Sequence, residues 1–122
     1  MNIDSLQFKK FKEISVSKID EIYIITINSD FFDLHLAAKF SYIFNLMEEI
    51  SAFLLVDLKK VNSFDSTAYA TIFTFQRAAK YPHRNFELLV ISENEILRLN
   101  LGSKGPKLFE SIELALKYCK KH

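Results

Sequence analysis

The stretch Phe53-Leu54-Leu55-Val56-Asp57-Leu58, followed seven residues later by Asp65-Ser66-Thr67, decides the fold. Six nearly all-apolar residues predict a parallel strand buried on both faces, because each side of such a strand must meet a covering layer. From Ser66 to about Lys80 the sequence predicts a helix. A helix begins with unpaired N–H groups and a partial positive charge, and it therefore tolerates added negative charge. We expect a buried strand, a short loop, and a serine at the start of a helix.

The composition predicts one domain over residues 1–122. This length is near the common domain size, and half of the residues are hydrophobic, including 12 Phe and 5 Tyr. The formal charge is +1, from 16 basic and 15 acidic residues, so no broad positive field favours direct nucleic-acid binding. Two local groups of basic residues, at 9–12 and 117–122, are interpreted as solvated chain ends.

Cysteine content and hydropathy predict a cytoplasmic protein without membrane insertion. Cys119 is the one cysteine, so an internal disulfide is excluded, and its helical neighbours indicate a packed thiol. No segment approaches the ~18 consecutive apolar residues that a membrane-spanning helix needs, and the first 12 residues contain no uninterrupted apolar run.

Strands and helices are predicted to alternate along the chain. Such an order is typical of an α/β fold, here with a mixed, mostly parallel sheet of four to five strands covered by about four α-helices. Asp30 and Asp33 give start signals for the first helix, and Ser111 gives one for the last. The predicted strands are 11–16, 21–28, 53–58, 86–92 and 107–109, and the predicted helices are 34–50, 66–80, 93–100 and a last one from Ser111.

Two interpretations of Asp65 and Ser66 remain open from the residues alone. They fit an ordinary helix cap, which contributes ~1 kcal/mol. They also fit a phosphoacceptor, because a phosphoryl group would add about −1.5 to −2 charges at a helix start, where N–H groups can receive them. Asp65 would repel that charge, and a docked partner would sense the change.

Other kinds of site are disfavoured by the same residues. A hydrolase nucleophile turn needs a glycine two residues before and two residues after the serine, and a nearby base, yet those positions hold Phe64 and Ala68. The histidines lie at positions 35, 83 and 122, and none is predicted beside Ser66. Four aspartates, at 30, 33, 57 and 65, could hold magnesium weakly, but caps and loop anchors are the expected roles. Residues 102–105 lack the spacing of a phosphate-binding loop, and no cofactor is expected.

The predicted second helix carries two lines of residues. One line, Ala68, Ile72, Phe75 and Ala79, suits packing on the sheet. The neighbouring line, Tyr69, Phe73, Gln76 and Lys80, is more apolar than a solvated face requires. It is either covered by a loop or left as an aromatic docking surface beside Ser66.

These residues resemble the STAS family, which includes anti-sigma factor antagonists. The family pattern is an apolar strand ending in Asp-Leu, a short loop, and Asp-Ser-Ser/Thr-Gly-Leu-Gly opening a helix. Here it reads Val56-Asp57-Leu58, then Asp65-Ser66-Thr67-Ala68-Tyr69-Ala70. The later segments 86–91, 96–99 and 108–115 are also similar, and the resemblance extends over most of residues 54–116.

The resemblance implies a protein-binding regulator that performs no catalysis. Ser66 would be the phosphoacceptor, with Thr67 as the alternative, and Asp65, Asp30 and Asp57 would lie near it. A serine kinase that is also the anti-sigma factor would modify Ser66, and a metal-dependent phosphatase would reverse the reaction. The unphosphorylated form would bind the anti-sigma factor and release the sigma factor. Partner contacts are expected at Thr67, Ala68, Tyr69 and Phe73.

The motif also departs from the family pattern. Ala68 and Ala70 replace both glycines, and Tyr69 replaces a leucine. Alanine is compatible with a helix, but added methyl groups and a tyrosyl ring would obstruct a kinase that approaches the backbone closely. The alternative function is therefore a non-switching STAS subunit of a transporter ATPase or a sensory complex.

Overall fold

The computed structural model describes residues 11–47, 50, 52–80 and 84–122. It contains a five-stranded sheet, a separate two-stranded sheet and, in the described residues, four helices. The strands are β1 (Ile14–Ile19), β2 (Ile22–Ile27), β3 (Phe31–Phe32), β4 (Phe53–Asp57), β5 (Ser63–Phe64), β6 (Glu87–Ile91) and β7 (Lys107–Phe109); the helices are α1 (Leu34–Leu46), α2 (Ser66–Ala78), α3 (Glu95–Leu101) and α4 (Ile112–Lys121).

The large sheet has the order β1-β2-β4-β6-β7, antiparallel between β1 and β2 and parallel elsewhere. The strands therefore follow one another across the sheet without reversal. Since crossovers between parallel strands are right-handed, helices that connect successive strands in the same direction across the sheet lie on the same face of the sheet. The side chains of α1, α2 and α3 indeed share the larger core cluster, and α4 packs on the opposite face through Ala115. The predicted α/β class with a mixed, mostly parallel sheet is confirmed.

The central strands are buried on both faces, as their sequence predicts. Along β4, Leu54 and Val56 belong to the larger core cluster, and Phe53 and Leu55 belong to the cluster under α4. The larger cluster is rich in phenylalanine. Its ring centroids lie 4.3 Å apart for Phe44 and Phe75 and 5.2 Å apart for Phe40 and Phe75. These contacts hold α1 and α2 together on the sheet.

Several boundaries differ from the sequence-based expectation. The first strand runs from Ile14 to Ile19 rather than from 11 to 16, and the turn after it is made by Asp20 and Glu21, both with positive φ. Helix α1 ends at Leu46 instead of 50, because Met47 adopts extended backbone. Helix α3 begins at Glu95, two residues late, because the Asn94 side chain caps it. The predicted helix stop at 81–83 lies outside the described residues.

The two-residue strands β3 and β5 were not predicted. They form a small parallel sheet in which Phe31 pairs with Ser63 and Phe32 pairs with Phe64. This sheet lies where the chain leaves β2 and again where it approaches α2. It therefore joins the start of α1 to the loop that leads to Ser66.

No helix among the described residues is long and apolar enough to cross a bilayer.

Candidate functional site

Ser66 is the first residue of α2 and is exposed to solvent. The residue before it, Asp65, is the N-cap: its backbone is extended, and its Oδ1 accepts a hydrogen bond from the Ala68 N–H at 2.9 Å. The Ser66 hydroxyl makes no hydrogen bond to another described residue. Its oxygen is therefore open to an approaching group while the helix start is already capped by its neighbour.

Main-chain hydrogen bonds fix the loop that presents Ser66. The Asp65 N–H donates to the Phe32 carbonyl at 3.2 Å. The Asp30 carbonyl accepts from the Asn62 N–H at 2.9 Å and from the Ser63 N–H at 3.0 Å. Phe32, 1% exposed, anchors this arrangement, with its ring 6.3 Å from that of Phe64. The segment before Ser66 thus has a defined position, which reduces the entropy lost when a partner binds.

The predicted acidic neighbours serve as anchors around this loop. Asp30 follows β2, and its Oδ1 accepts from the Asn62 side chain at 3.3 Å. Asp57 ends β4, and its Oδ1 accepts from the Lys59 N–H at 3.0 Å. Both lie at the carboxyl ends of their strands, on the side of the sheet where Asp65 stands. Within the described part of the chain, no group of three or more histidines, cysteines, aspartates or glutamates could hold a metal ion.

A wide recess lies beside this loop. It has a volume of about 530 Å³ and is lined by Asn28, Ser29, Asp30, Lys59, Lys60 and Asn62. The Lys60 Nζ donates to the Asn28 Oδ1 at 3.1 Å, and Lys59 is exposed. Two lysines and one carboxylate, Asp30, leave one positive charge in the lining of this recess, so it is suited to an acidic side chain of a partner.

Of the residues expected to contact a partner, Ala68 is fully buried in the core. Its methyl group therefore packs inside the molecule and is unavailable at the surface. The same burial means that this methyl group presents no obstacle to a kinase. Ala70, which stands at the second motif glycine, is exposed.

Tyr69, Phe73 and Thr67 are half-buried. The Tyr69 ring lies 5.9 Å from that of Phe64, and its hydroxyl accepts a hydrogen bond from the Asn100 side chain at 3.1 Å. The line of α2 that includes Tyr69 and Phe73 thus packs partly against the core, with α3 beside it. Of the two candidate phosphoacceptors, Ser66 is the more exposed.

Four exposed apolar side chains lie on elements next to this loop, and the sequence does not predict them as partner contacts. Phe31 and Leu34 are 62% and 63% exposed, and they belong to β3 and to the first turn of α1. Ile96 and Leu99 of α3 are 65% and 76% exposed. The Asn94 side chain donates to the Asn62 carbonyl at 3.4 Å, which holds the start of α3 against the same loop. Apolar side chains this exposed, on elements that flank one loop, are typical of a protein-binding surface.

No described histidine acts on Ser66 through a hydrogen bond. His35 is exposed near the start of α1, and the His122 ring stacks on Tyr118, with centroids 4.4 Å apart. His83 lies outside the described residues. In the described residues the arrangement has an exposed hydroxyl without a base in contact with it, which differs from a nucleophile–base pair.

Comparison with solved structures finds a similar fold in an anti-sigma factor antagonist from Mycobacterium paratuberculosis. The two share 17% identity and superpose with a TM-score of 0.67 over 88% of this chain and 92% of the other. The fold expected from the resemblance to the STAS family is thus confirmed. Neither a family model nor a curated protein matches the sequence.

Proposed function

We propose that this protein is an anti-sigma factor antagonist: a cytoplasmic, non-catalytic regulator of transcription that sequesters an anti-sigma factor and is switched by phosphorylation of Ser66. The observation that carries the proposal is the exposed Ser66 hydroxyl at the start of α2, flanked by elements with exposed apolar side chains. The fold shared with an anti-sigma factor antagonist adds support.

Unphosphorylated Ser66 suits a partner interface. Phe31, Leu34, Ile96 and Leu99 provide apolar area that a partner would remove from water. Lys59 and Lys60 provide positive charge at one side of this surface. Tyr69 is half-buried and packs against the larger core cluster. Binding the anti-sigma factor here would release the sigma factor.

A phosphoryl group on Ser66 would change this surface without refolding the protein. It would bring about −1.5 to −2 charges and three acceptor oxygens to a position next to the Asp65 carboxylate. The start of α2 tolerates the added charge, because N–H groups of the first turn can share it. A partner that placed apolar or acidic groups over Ser66 would meet unfavourable desolvation and repulsion, and like charges brought together at an interface cost several kcal/mol.

The proposed modifying partners follow from the same site. A serine kinase that is itself the anti-sigma factor would transfer the phosphoryl group, and a metal-dependent phosphatase would remove it. Because the Ala68 methyl group is buried, the loss of the first motif glycine leaves the kinase's path to the serine open.

The proposal is tested with the anti-sigma factors and serine kinases encoded in the source organism. We expect one of them to bind the wild-type protein, and binding to weaken at least tenfold, ~1.4 kcal/mol, in Ser66→Asp, measured by titration calorimetry. Ser17→Asp on the exposed edge strand β1 adds the same charge away from the site and is the matched control.

Phosphorylation itself is tested by intact-mass spectrometry after incubation with the kinase and ATP. We expect one phosphoryl group on the wild type and none on Ser66→Ala, with Thr67→Ala behaving as the wild type. A partner complex that forms equally well with wild type and Ser66→Asp would contradict the switch and favour a non-switching subunit of a transporter or sensory complex.

A further inference from the structure

A second recess lies at the end of the sheet opposite to Ser66. It is formed by the last turns of α2, the start of β6 and the loop between α3 and β7, and its volume is about 230 Å³. Three lysines line it, Lys80, Lys104 and Lys107, together with the polar side chains of Gln76 and Ser103. None of these residues belongs to the surface around Ser66.

The charge of this recess is not balanced by the protein. The one carboxylate in its lining, Glu87, accepts a hydrogen bond from the Tyr118 hydroxyl at 2.8 Å. None of the three lysines forms an ion pair with a described residue; Lys107 instead lies over the Tyr118 ring, with its Nζ 5.7 Å from the centroid. Three ammonium groups and one carboxylate leave two positive charges around a small volume.

The loop that carries Ser103 and Lys104 is held in a defined conformation. Both glycines of the chain are in it, at 102 and 105. Gly102 has a φ of +61°, which disfavours other residues, and a Cβ on Gly105 would lie 2.8 Å from the Leu101 carbonyl oxygen. The Gly105 N–H donates to that carbonyl at 3.1 Å, and Pro106 is buried. The loop is thus shaped before any ligand arrives.

We propose that this recess binds a small phosphate-bearing anion. Lysine ammonium groups supply point charges for a phosphate, and the Ser103 hydroxyl and the Gln76 amide supply neutral donors. Pockets for drug-sized molecules span roughly 300–1,000 Å³. The smaller volume here fits a phosphate or pyrophosphate group, either free or as the end of a larger molecule, and it is too small to enclose a nucleoside as well.

The proposal is tested by following backbone amide NMR signals during titration with sodium pyrophosphate at low ionic strength. We expect saturable shifts at Ser103, Lys104 and Gly105, and affinity about tenfold weaker in the double variant Lys104→Gln/Lys107→Gln, because two surface charge contacts are lost. The matched control, Lys59→Gln/Lys60→Gln, makes the same charge change in the recess beside Ser66 and should keep the affinity within about twofold.

Further titrations distinguish the possible sources of the anion. Tighter binding of ATP than of pyrophosphate, with the same amides shifting, would identify the end of a nucleotide; equal binding would identify the free anion. Shifts that fail to saturate, spread over the lysines of α4, or weaken equally in both double variants would overturn the proposal. It would equally be overturned if adenosine, which has no phosphate, produced the same shifts.

Discussion

The Asp65 carboxylate accepts the Ala68 N–H at 2.9 Å and stands beside the serine that we propose is phosphorylated. Its structural and electrostatic effects can be separated. We expect Asp65→Ala to lower the free energy of unfolding by about 1 kcal/mol, because the cap is lost, and Asp65→Asn to lower it less, because an amide oxygen still caps. Urea denaturation followed by circular dichroism measures both.

The same pair of variants separates the cap from the charge. Phosphorylation of Ser66 should lower the free energy of unfolding less in Asp65→Asn than in the wild type, because the variant has no negative charge beside the phosphoryl group. Ser66→Ala should leave stability nearly unchanged, since the hydroxyl has no partner among the described residues. Equal stabilities of wild type and Asp65→Ala would contradict the capping role.

Tyr118 gives the protein a dependence on alkaline pH. Burial raises the pKa of its phenol, and the hydrogen bond to Glu87 raises it further. The folded state therefore keeps the proton after the unfolded chain begins to lose it, near the ordinary value of about 10. The resulting stability is fully present below that pH and is lost as pH rises through the folded pKa.

We expect Tyr118→Phe to have a shallower stability profile above about pH 10 than the wild type, because the proton linkage is removed. Burial also raises the pKa of the neighbouring Cys119 thiol, so Cys119 causes a separate loss of stability at lower pH. Both proteins keep Cys119, so this loss is the same in each. Urea unfolding at a series of pH values measures the slopes of the two stability profiles. Parallel profiles for wild type and Tyr118→Phe would be evidence against the linkage.

At the scale of single elements, the small β3–β5 sheet controls the order of the Ser66 loop. Phe32 is its buried anchor, with rings 6.2 Å from Phe40 and 6.3 Å from Phe64. We expect Phe32→Ala to lower the free energy of unfolding by about 3–5 kcal/mol. It should also increase hydrogen exchange at the Ser63 and Asp65 amides, because their acceptors are the Asp30 and Phe32 carbonyls.

The control for that variant removes a ring from the other core cluster. Phe53→Ala deletes a buried phenylalanine beneath α4, so it should also destabilise the protein but leave the two loop amides protected relative to the rest. Similar exchange patterns in the two variants would show that the small sheet does not hold the loop locally.

The sequence predicts some elements well because their pattern is local. Strand β4 is an apolar run of the right length, and α2 begins at Ser66 where Asp65 supplies a cap. Strands β3 and β5 have two residues each, which is too short for any periodicity, and their pairing depends on contacts distant in sequence. The sequence misplaces β1 because the hairpin turn is made by Asp20 and Glu21, both with positive φ, and Glu21 stands where glycine is the usual signal.

At the scale of the whole molecule, the topology separates two surfaces. The Ser66 loop and the wide recess beside it lie at the carboxyl ends of the parallel strands, and the lysine-lined recess lies at their amino ends. Helix α2 extends between them, beginning at Ser66 and reaching Gln76 near its last turn. The two proposed binding sites therefore lie at opposite ends of the sheet, and each can be mutated without changing the other.

The exposed apolar residues around Ser66 could not be predicted from the sequence. In α3 the apolar residues Ile96, Leu97, Leu99 and Leu101 have no single face in a helix of seven residues. The packing of α3 against its neighbours decides that Leu97 and Leu101 enter the core and that the other two remain in water. Their role depends on tertiary structure, which local periodicity does not contain.

This division leads to a prediction about partner binding. Leu99 is 76% exposed, so Leu99→Ser should change the free energy of unfolding by no more than about 0.5 kcal/mol. If its side chain is buried in the complex, the same change should weaken partner binding by about 1.5–3 kcal/mol, roughly ten-fold to more than a hundred-fold. Leu114→Ser on α4 is the matched control, because Leu114 is 48% exposed on the other face of the sheet. Calorimetric titration with the anti-sigma factor compares the three proteins. Loss of affinity in Leu114→Ser with none in Leu99→Ser would move the interface to the α4 face and separate partner binding from the phosphorylated serine.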